Sequence, residues 1–173
     1  MDGAVVMNVE VERATDAQRA TLANLLELYS YDFTQYVDHD VGEDGRYGYS
    51  YLPDYFEDTR RHPFLVRIDD HYAGFALVRQ VDRDGHIIAD MAEFFIMRRY
   101  RRHGAGEVVA KRVFGLFPGP WELRMMRANE PAQAFWRRVV ADYTGDVSEE
   151  RWSDDEMWLM LSFSAVAPPT TNT

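Results

Sequence analysis

The strongest constraint on the fold is a glycine loop that joins a strand pattern to a helix pattern. Residues 86–97 read as one long strand, and apolar residues after Gly104 recur at helical spacing to about Phe117, where Pro118-Gly119-Pro120 stops the helix. Between the two lies Arg101-Arg102-His103-Gly104-Ala105-Gly106. Two glycines let the backbone turn tightly and approach a ligand, and the helix start adds unpaired N–H donors. The pattern favours a site for a pyrophosphate group.

Positive charge is concentrated around this loop in an otherwise acidic chain. The sequence has 19 Lys and Arg against 29 Asp and Glu, a formal net charge of −10. Basic residues cluster here at Arg98, Arg99, Arg101, Arg102, Lys111 and Arg112. A polyanionic cofactor would explain the cluster, whereas the overall charge disfavours nucleic acid as a partner.

Composition excludes several classes of protein. The chain has no Cys, so a disulfide scaffold, a thiolate zinc site and a Cys nucleophile are excluded. The His residues show no metal-ligand spacing, and we expect no metal. No apolar run is long enough for a membrane span, and no secretory signal is visible, so we expect a cytoplasmic protein without a membrane partner.

The remaining patterns predict a single domain over residues 1–164, followed by a flexible Pro/Thr-rich tail over 165–173. The predicted elements are strands at 5–11, 64–68, 73–81, 86–97, 121–127 and 157–163, helices at 16–30, 104–117 and 132–140, and one further hairpin strand after Tyr143. This order predicts an α/β (α+β) fold. It has a single mixed, mostly antiparallel sheet of about seven strands, with splayed central strands and helices on both faces.

Two short motifs flank the predicted strand at 121–127. They are residues 94–106 (F-F-I-M-R-R-Y-R-R-H-G-A-G) and residues 129–136 (N-E-P-A-Q-A-F-W). The first resembles motif A of the GNAT superfamily of N-acetyltransferases, whose Tyr-Arg-x-x-Gly-x-Gly register it matches without a gap. The second is similar to the N-x-x-A-x-x-F-Y segment that opens the next helix of that family. The order of elements extends the resemblance over about 5–163.

The resemblance implies an acyl-CoA co-substrate, most often acetyl-CoA. Backbone N–H groups of the loop would bind its pyrophosphate, and the end of the motif strand would pair with the pantetheine arm where two central strands splay apart. Asn129 would contact the arm or fix the helix start, and Phe135 would pack beside it. The implied cofactor-binding residues are Phe94, Phe95, Ile96, Arg101, Arg102, His103, Gly104, Ala105, Gly106, Glu107, Asn129 and Phe135.

One departure from the family pattern concerns the acid that protonates the leaving thiolate. The frequent Tyr of the family after Phe135 is Trp136 here, and an indole N–H donates a hydrogen bond without supplying a proton at neutral pH. The acid role is therefore vacant, shifted to Tyr143 or Tyr100, or unnecessary, since a thiol of pKa about 8.5 gives a fair leaving group. We take Tyr143 as the catalytic candidate.

Glu93 is the candidate general base. Amine acetylation needs a neutral amine, and a carboxylate beside the splay can take the proton directly or through water. In a regular strand Glu93 shares a face with Met91 and Phe95, which places an acid in an apolar row. The alternative is a solvated or salt-bridged Glu at an edge of the sheet.

The segment 32–58 holds eight acids against one base, together with seven aromatics, and follows no single period. One interpretation is a solvated loop whose aromatics pack on the sheet. The other is a wall for a cationic acceptor, in which carboxylates complement charge and Tyr rings offer cation–π faces. Asp32 and Tyr36 are the candidate substrate-binding residues. A second acidic run over 146–156 favours a polyamine-like or aminoglycoside-like acceptor.

Three functions stay open from the sequence. The favoured one is direct acetyl transfer to a small cationic amine in a ternary complex, with an aminoglycoside antibiotic as the first candidate. A non-catalytic acyl-CoA sensor would explain Trp136, and acidic walls would also suit a Lys-rich protein or peptide. The aromatic-rich hairpin at 152–163 could form the contact of a homodimer.

Overall fold

The computed structural model describes residues 7–167. Within them, seven strands form one sheet: β1 (Val9–Arg13), β2 (Arg61–Ile68), β3 (His71–Arg83), β4 (His86–Ile96), β5 (Gly119–Met126), β6 (Glu149–Trp152) and β7 (Trp158–Ala165). The α-helices are α1 (Arg19–Phe33), α2 (Asp54–Glu57), α3 (Ala105–Leu116) and α4 (Glu130–Thr144). Single 3-10 turns lie at Asp16–Gln18 and Arg98–Tyr100.

The strands lie side by side in the order β1-β2-β3-β4-β5-β7-β6. Neighbouring strands are antiparallel except β4 and β5, which are parallel and connected through α3. On one face, α3 and α4 contribute Val109 and Trp136 to a large apolar core. On the other face, α1 contributes Leu22 and Leu26 to a second core. The predicted fold class is confirmed.

The two parallel strands separate after a short contact. In the described part of the chain, β4 and β5 are ladder partners only at Ala89–Trp121 and Asp90–Glu122, although both strands continue for several residues. Beyond Asp90, β4 pairs with β3 alone, so its other edge carries backbone N–H and C=O groups outside the ladder. The result is the predicted splay, an opening between β4 and β5.

A β-bulge lies in β4 at this opening. Two adjacent residues of β3 pair with Glu93 and Met91, so Ala92 is the extra residue. Met91 belongs to the α3/α4 core, whereas Phe95 belongs to the α1 core. The prediction that Glu93 shares a face with both is therefore wrong for Met91, because the bulge shifts the side-chain alternation by one residue.

Short-range capping marks the 3-10 turn that leads into α1 and the start of α4. Before α1, Thr15 and Gln18 form the capping box that their spacing predicts. At α4, the side chain of Asn129 accepts a hydrogen bond from the N–H of Ala132 at 3.1 Å. Such caps satisfy N–H groups that have no partner inside the helix. Asn129 thereby fixes the helix start, one of its two predicted roles.

The two ends of the chain differ from their predicted boundaries. The first strand runs over Val9–Arg13 rather than 5–11, and residues 1–6 lie outside the described range. The last strand reaches Ala165, which is buried and pairs with Gly119, so the sheet extends one residue past the predicted domain end. The rest of the predicted tail, from 168 on, lies outside the described residues. Within 7–167, no helix is long and apolar enough to cross a membrane.

Candidate active site

Glu93 lies at the opening between β4 and β5, with its carboxylate held by two tyrosines. The hydroxyl of Tyr29, from α1, donates to Oε2 at 2.5 Å. The hydroxyl of Tyr49, from the segment between α1 and α2, donates to Oε1 at 3.1 Å. Glu93 is only partly buried, and each oxygen keeps capacity for one further donor. The carboxylate can therefore accept a proton from a bound amine.

The surroundings of Glu93 make it easier to protonate than an ordinary carboxylate. Burial raises its pKa above the usual 4.5, and the hydrogen bonds from Tyr29 and Tyr49 offset this only in part. Arg79 also favours the charged form, and the nearby Asp90 opposes it. A raised pKa suits a general base, because the proton-transfer partners then lie closer in basicity.

The same contacts make Tyr29 and Tyr49 poor acids. Burial and the negative charge of Glu93 raise the pKa of both phenols far above the ordinary value of 10. The Tyr29 ring meets Phe75 and Phe95 edge-on, with centroids 5.7 and 5.9 Å away. This packing fixes the Tyr29 hydroxyl against the carboxylate. We therefore regard both tyrosines as positioning residues.

Sequence reasoning missed both tyrosines. Tyr29 continues the helical spacing of Leu22, Leu25 and Leu26, so it counts there as part of the apolar face of α1. Tyr49 is one of many aromatics in an acidic segment without a period. A phenol at the end of an apolar helix face is a weak signal of a polar partner. That partner lies 64 residues away from Tyr29 along the chain.

The glycine loop makes a left-handed turn directly before α3. Gly104 has a φ of 80° and caps the helix, and Arg102 has a φ of 67°. The N–H groups of Ala105, Gly106 and Glu107 belong to the first turn and have no partner inside the helix. Together with the positive end of the helix dipole, they fit a phosphate group.

An aromatic wall beside the loop is made by β4 and α4. Phe94 stacks on Phe135 with ring centroids 5.9 Å apart and meets Trp136 edge-on at 4.9 Å. A Cβ placed on Gly106 would lie 3.4 Å from the Phe135 ring, so α3 and α4 approach closely here. Trp136 is 7% exposed and belongs to the core. Its position favours packing over a role as an acid.

Asp32 lies beside the loop, but its carboxylate is already paired. Arg98 and Arg101 donate to its two oxygens at 2.5 and 2.7 Å. Burial opposes the ionisation of Asp32, but these hydrogen bonds outweigh it and lower the pKa. Arg101 also donates to the carbonyl of Ile96 at 2.6 Å. The carboxylate therefore ties α1 to the loop, and the geometry argues against its predicted substrate-binding role.

Tyr143 lies at the far end of α4 from the opening. Its hydroxyl donates to the carbonyl of Val166 at 3.0 Å, and its ring packs on Phe114 and Phe163. It follows Phe135 by eight residues, or about 12 Å of helix. The hydroxyl proton of Tyr143 is thus directed to a backbone carbonyl, about 12 Å along α4 from Phe135. This geometry argues against the predicted acid role of Tyr143.

Three further predicted site residues have exposed or partly exposed side chains. Tyr36 follows α1, packs on Phe33 with centroids 5.7 Å apart and is partly exposed. His103 is exposed in the loop, and Glu107 pairs with Lys111 at 2.8 Å. Among residues 7–167, no group of three or more His, Asp or Glu could hold a metal ion.

The site lies within a segment that matches a known family. The sequence profile of the Acetyltransferase (GNAT) family matches residues 22–140. The chain belongs to the GNAT acetyltransferase family. The resemblance and the predicted enzyme class, an acyltransferase, are thereby confirmed. No curated protein matches the chain significantly.

Solved structures share the GNAT fold at low identity. An acetyltransferase from Thermus thermophilus is 12% identical, with a TM-score of 0.67 over 91% of this chain and 97% of that one. Arabidopsis thaliana Naa50, in complex with the bisubstrate analogue CoA-Ac-MVNAL, is 14% identical, with a TM-score of 0.60 over 90% and 98%. The aminoglycoside acetyltransferase meta-AAC0020 from an uncultured soil metagenomic sample, in complex with sisomicin, is 11% identical, with a TM-score of 0.60 over 84% and 95%. At this identity the likeness shows the fold.

Proposed function

We propose that this GNAT acetyltransferase transfers an acetyl group from acetyl-CoA to a primary amine of a small cationic molecule in a ternary complex. The observation that carries the proposal is the Glu93 carboxylate, held at the opening between β4 and β5 by Tyr29 and Tyr49. The absence of Cys from the sequence supports direct transfer over a thioester on the enzyme.

The residues around the opening fit an acyl-CoA. The free edge of β4 over Phe94 to Ile96 can pair with amide groups, and the N–H groups of residues 102–107 can bind phosphate. The stack of Phe94 on Phe135 offers an apolar wall beside them. When bound, acetyl-CoA supplies the acetyl group in activated form, as a thioester.

Glu93 is the proposed general base. An ammonium group is unreactive until it loses a proton, and a Glu93 oxygen accepts that proton directly or through one water. Tyr29 and Tyr49 hold the carboxylate in place for this step. The raised pKa of Glu93 brings it closer to the pKa of an amine, which favours the transfer.

Charge around the site supports an acceptor with an ammonium group. Exposed carboxylates follow α1 at Asp38, Asp40, Glu43 and Asp44, and such a field attracts cations. An aminoglycoside acetyltransferase of the same fold binds sisomicin, so aminoglycosides and polyamines are the first acceptors to test. A peptide amine is the second candidate, since Naa50 has the same fold and binds a CoA-peptide analogue.

Acetyl-CoA binding and thiol release test the proposal together. The purified protein is titrated with acetyl-CoA in a calorimeter, and release of the CoA thiol is then followed with aminoglycosides, polyamines and short peptides. Binding followed by release on any of these amines supports an acetyltransferase, and the acceptor with the highest kcat/KM identifies the class. Binding without release on every amine would favour the acyl-CoA sensor.

A variant pair tests the base. Glu93→Gln is expected to lower kcat by about 10²–10⁴-fold, the usual contribution of a general base, while its affinity for acetyl-CoA stays that of the wild type. Glu57→Gln, at an exposed position of α2, controls for the loss of one negative charge. An unchanged kcat in Glu93→Gln would remove Glu93 from the mechanism.

A further inference from the structure

Asp90 is shared by two arginines on the face of the sheet that carries Glu93. The Nε of Arg79 donates to its Oδ2 at 2.5 Å, and Nη2 of Arg124 reaches the same oxygen at 3.3 Å. The side chain of Asp90 is 3% exposed, whereas that of Arg124 is 38% exposed. The single negative charge of Asp90 can balance only one guanidinium group. Arg79 makes the shorter contact, so the charge of Asp90 is balanced mainly by Arg79. Arg124 is therefore a partly exposed cation with donors to spare.

The next carboxylate along the sheet repeats this arrangement. Glu122 is buried and accepts hydrogen bonds from Arg83 and Arg151, both at 2.9 Å. Arg79 and Arg124 thus share Asp90, and Arg83 and Arg151 share Glu122. Each of these two buried carboxylates is therefore shared by two guanidinium groups, one more than its single charge balances.

Arg124 lies where β5 leaves β4. It follows Glu122, the last β5 residue paired with β4, by two residues, so the two side chains are on the same face. In β7 it is paired with Met160, which is buried. Asp90 precedes Glu93 by three residues of β4, a separation of roughly 7–10 Å along the strand. Because Arg124 contacts Asp90, its guanidinium lies on the same face as Glu93, at a separation of that order along the sheet.

We infer that the acceptor carries an anionic group, a carboxylate or a phosphate, which Arg124 binds while the amine of the same molecule lies at Glu93. The inference rests on the transfer step of the proposed function, with the amine at Glu93. It predicts an acceptor that carries both charges, in place of the polyamines and aminoglycosides that the exposed acids alone favour. The planar guanidinium of Arg124 suits either anion, through two parallel hydrogen bonds. Because Arg124 and Glu93 belong to different strands on either side of the opening, the anion and the amine of the acceptor must be separated by several bonds. Arg124 is then the residue that determines specificity.

Matched pairs of amines test the inference. 4-Aminobutyrate is compared with butylamine, and phosphoethanolamine with ethanolamine, so that each pair differs by one anionic group. For the wild type we expect a kcat/KM at least about tenfold higher for the anionic member of one pair, mainly through KM. The pair with the larger ratio identifies the anion as carboxylate or phosphate. Ratios near one in both pairs, or spermidine turned over faster than all four amines, would overturn the inference.

Two arginine variants separate binding from folding. Arg124→Gln is expected to bring the ratio within the selected pair below about twofold by raising KM for the anionic member. Arg137→Gln is the control, because Arg137 is 44% exposed and pairs with Glu150 at 2.7 Å from α4, on the opposite face of the sheet. It should keep the wild-type ratio. An equal loss for both members in Arg124→Gln would show a structural role and overturn the inference.

Direct binding distinguishes a failure of this inference from a failure of the proposed function. Calorimetric titration of the wild type and of Arg124→Gln with the same four amines needs no turnover. Binding of an anionic amine at least about tenfold tighter than its neutral partner, lost in Arg124→Gln, supports the inference even if no thiol is released. Equal binding within both pairs overturns it even if other amines are acetylated.

Discussion

Tyr29 donates a hydrogen bond of 2.5 Å to Oε2 of Glu93 across 64 residues of sequence. The bond joins the second half of α1 to the bulged end of β4, at the opening between β4 and β5. Helix α1 therefore does more than cover the apolar core, since it also holds the proposed base. This arrangement affects both the stability of the protein and the pH dependence of its activity.

Ionised Glu93 should cost the folded protein stability at neutral pH. Burial raises its folded pKa above 4.5, so between that value and the folded pKa the folded state binds more protons than the unfolded state. The free energy of unfolding therefore falls as pH rises through this window. If the folded pKa lies one pH unit above the unfolded pKa, the free energy of unfolding is lower by about 1.4 kcal/mol at pH values above both. Glu93→Gln removes the titration, so its unfolding free energy relative to the wild type should increase from pH 5 to pH 8.

Urea unfolding at the two pH values, followed by circular dichroism, measures this difference. Glu57→Gln again controls for one negative charge at an exposed position. The unfolding free energy of Glu93→Gln minus that of the wild type could instead decrease toward pH 8. That result would mean that the folded protein stabilises the carboxylate in its charged form. The physical basis for treating Glu93 as a tuned base would then be gone.

The two tyrosines should set the pH at which Glu93 becomes active. Tyr29→Phe removes a hydrogen bond that lowers the pKa of Glu93, so that pKa rises further. The acid limb of the kcat/KM profile should move to higher pH by about one unit, as expected for a lost hydrogen bond to a charged group. Tyr49→Phe, which removes a longer bond of 3.1 Å, should move it less.

A pH profile of kcat/KM with the best acceptor measures this shift. Tyr31→Phe is the control, because Tyr31 also lies on α1 but is 65% exposed. A loss of rate that is uniform across pH in Tyr29→Phe would indicate a general structural defect. The positioning role of Tyr29 would then be rejected.

The helices and strands could be predicted because their signals are local. The spacing from Thr15 to Gln18, and from Leu22 to Leu26, lies within a few residues of chain and predicts the start and buried face of α1. The glycine at 104 likewise predicts the start of α3. The parallel pairing of β4 with β5 follows from the order of these elements, because parallel neighbours need a crossover connection such as α3.

The polar contacts of the site could not be predicted, because each joins distant segments. The bulge at Ala92 changes which residues share a face with Glu93, and no local pattern marks it. Asp32 reads as a free carboxylate until the fold brings Arg98 and Arg101 to it. Tyr143 is plausible as an acid by residue type, but its place on α4 directs it to Val166.

Gly104→Ala should weaken acetyl-CoA binding beyond its effect on stability. Gly104 has a φ of 80°, where an L side chain costs about 1–2 kcal/mol, and the strain falls on the first turn of α3. Gly85, in the turn between β3 and β4, has a φ of 84° and equally open surroundings, so Gly85→Ala is a matched control. Both variants should lose roughly 2–4 °C of melting temperature per kcal/mol. Only Gly104→Ala should raise the calorimetric Kd for acetyl-CoA, by about tenfold. Equal Kd values for Gly104→Ala and Gly85→Ala would exclude the loop from the binding site.

Asp32→Asn should affect the co-substrate side of the site rather than the acceptor side. Asp32 binds Arg98 and Arg101, and Arg101 also holds the carbonyl of Ile96. Loss of the charge weakens the ion pairs of Asp32 with both arginines, so the Kd for acetyl-CoA should rise about two- to fivefold, within the range of partly exposed ion pairs. The KM for the amine, measured at saturating acetyl-CoA, should stay near the wild-type value.

The effect of Asp32→Asn on the Kd for acetyl-CoA should be the same at pH 5 and pH 8. The pKa of Asp32 is lowered, so its carboxylate stays charged and paired at both pH values. A raised KM for a cationic amine with an unchanged Kd for acetyl-CoA would instead return Asp32 to the acceptor wall.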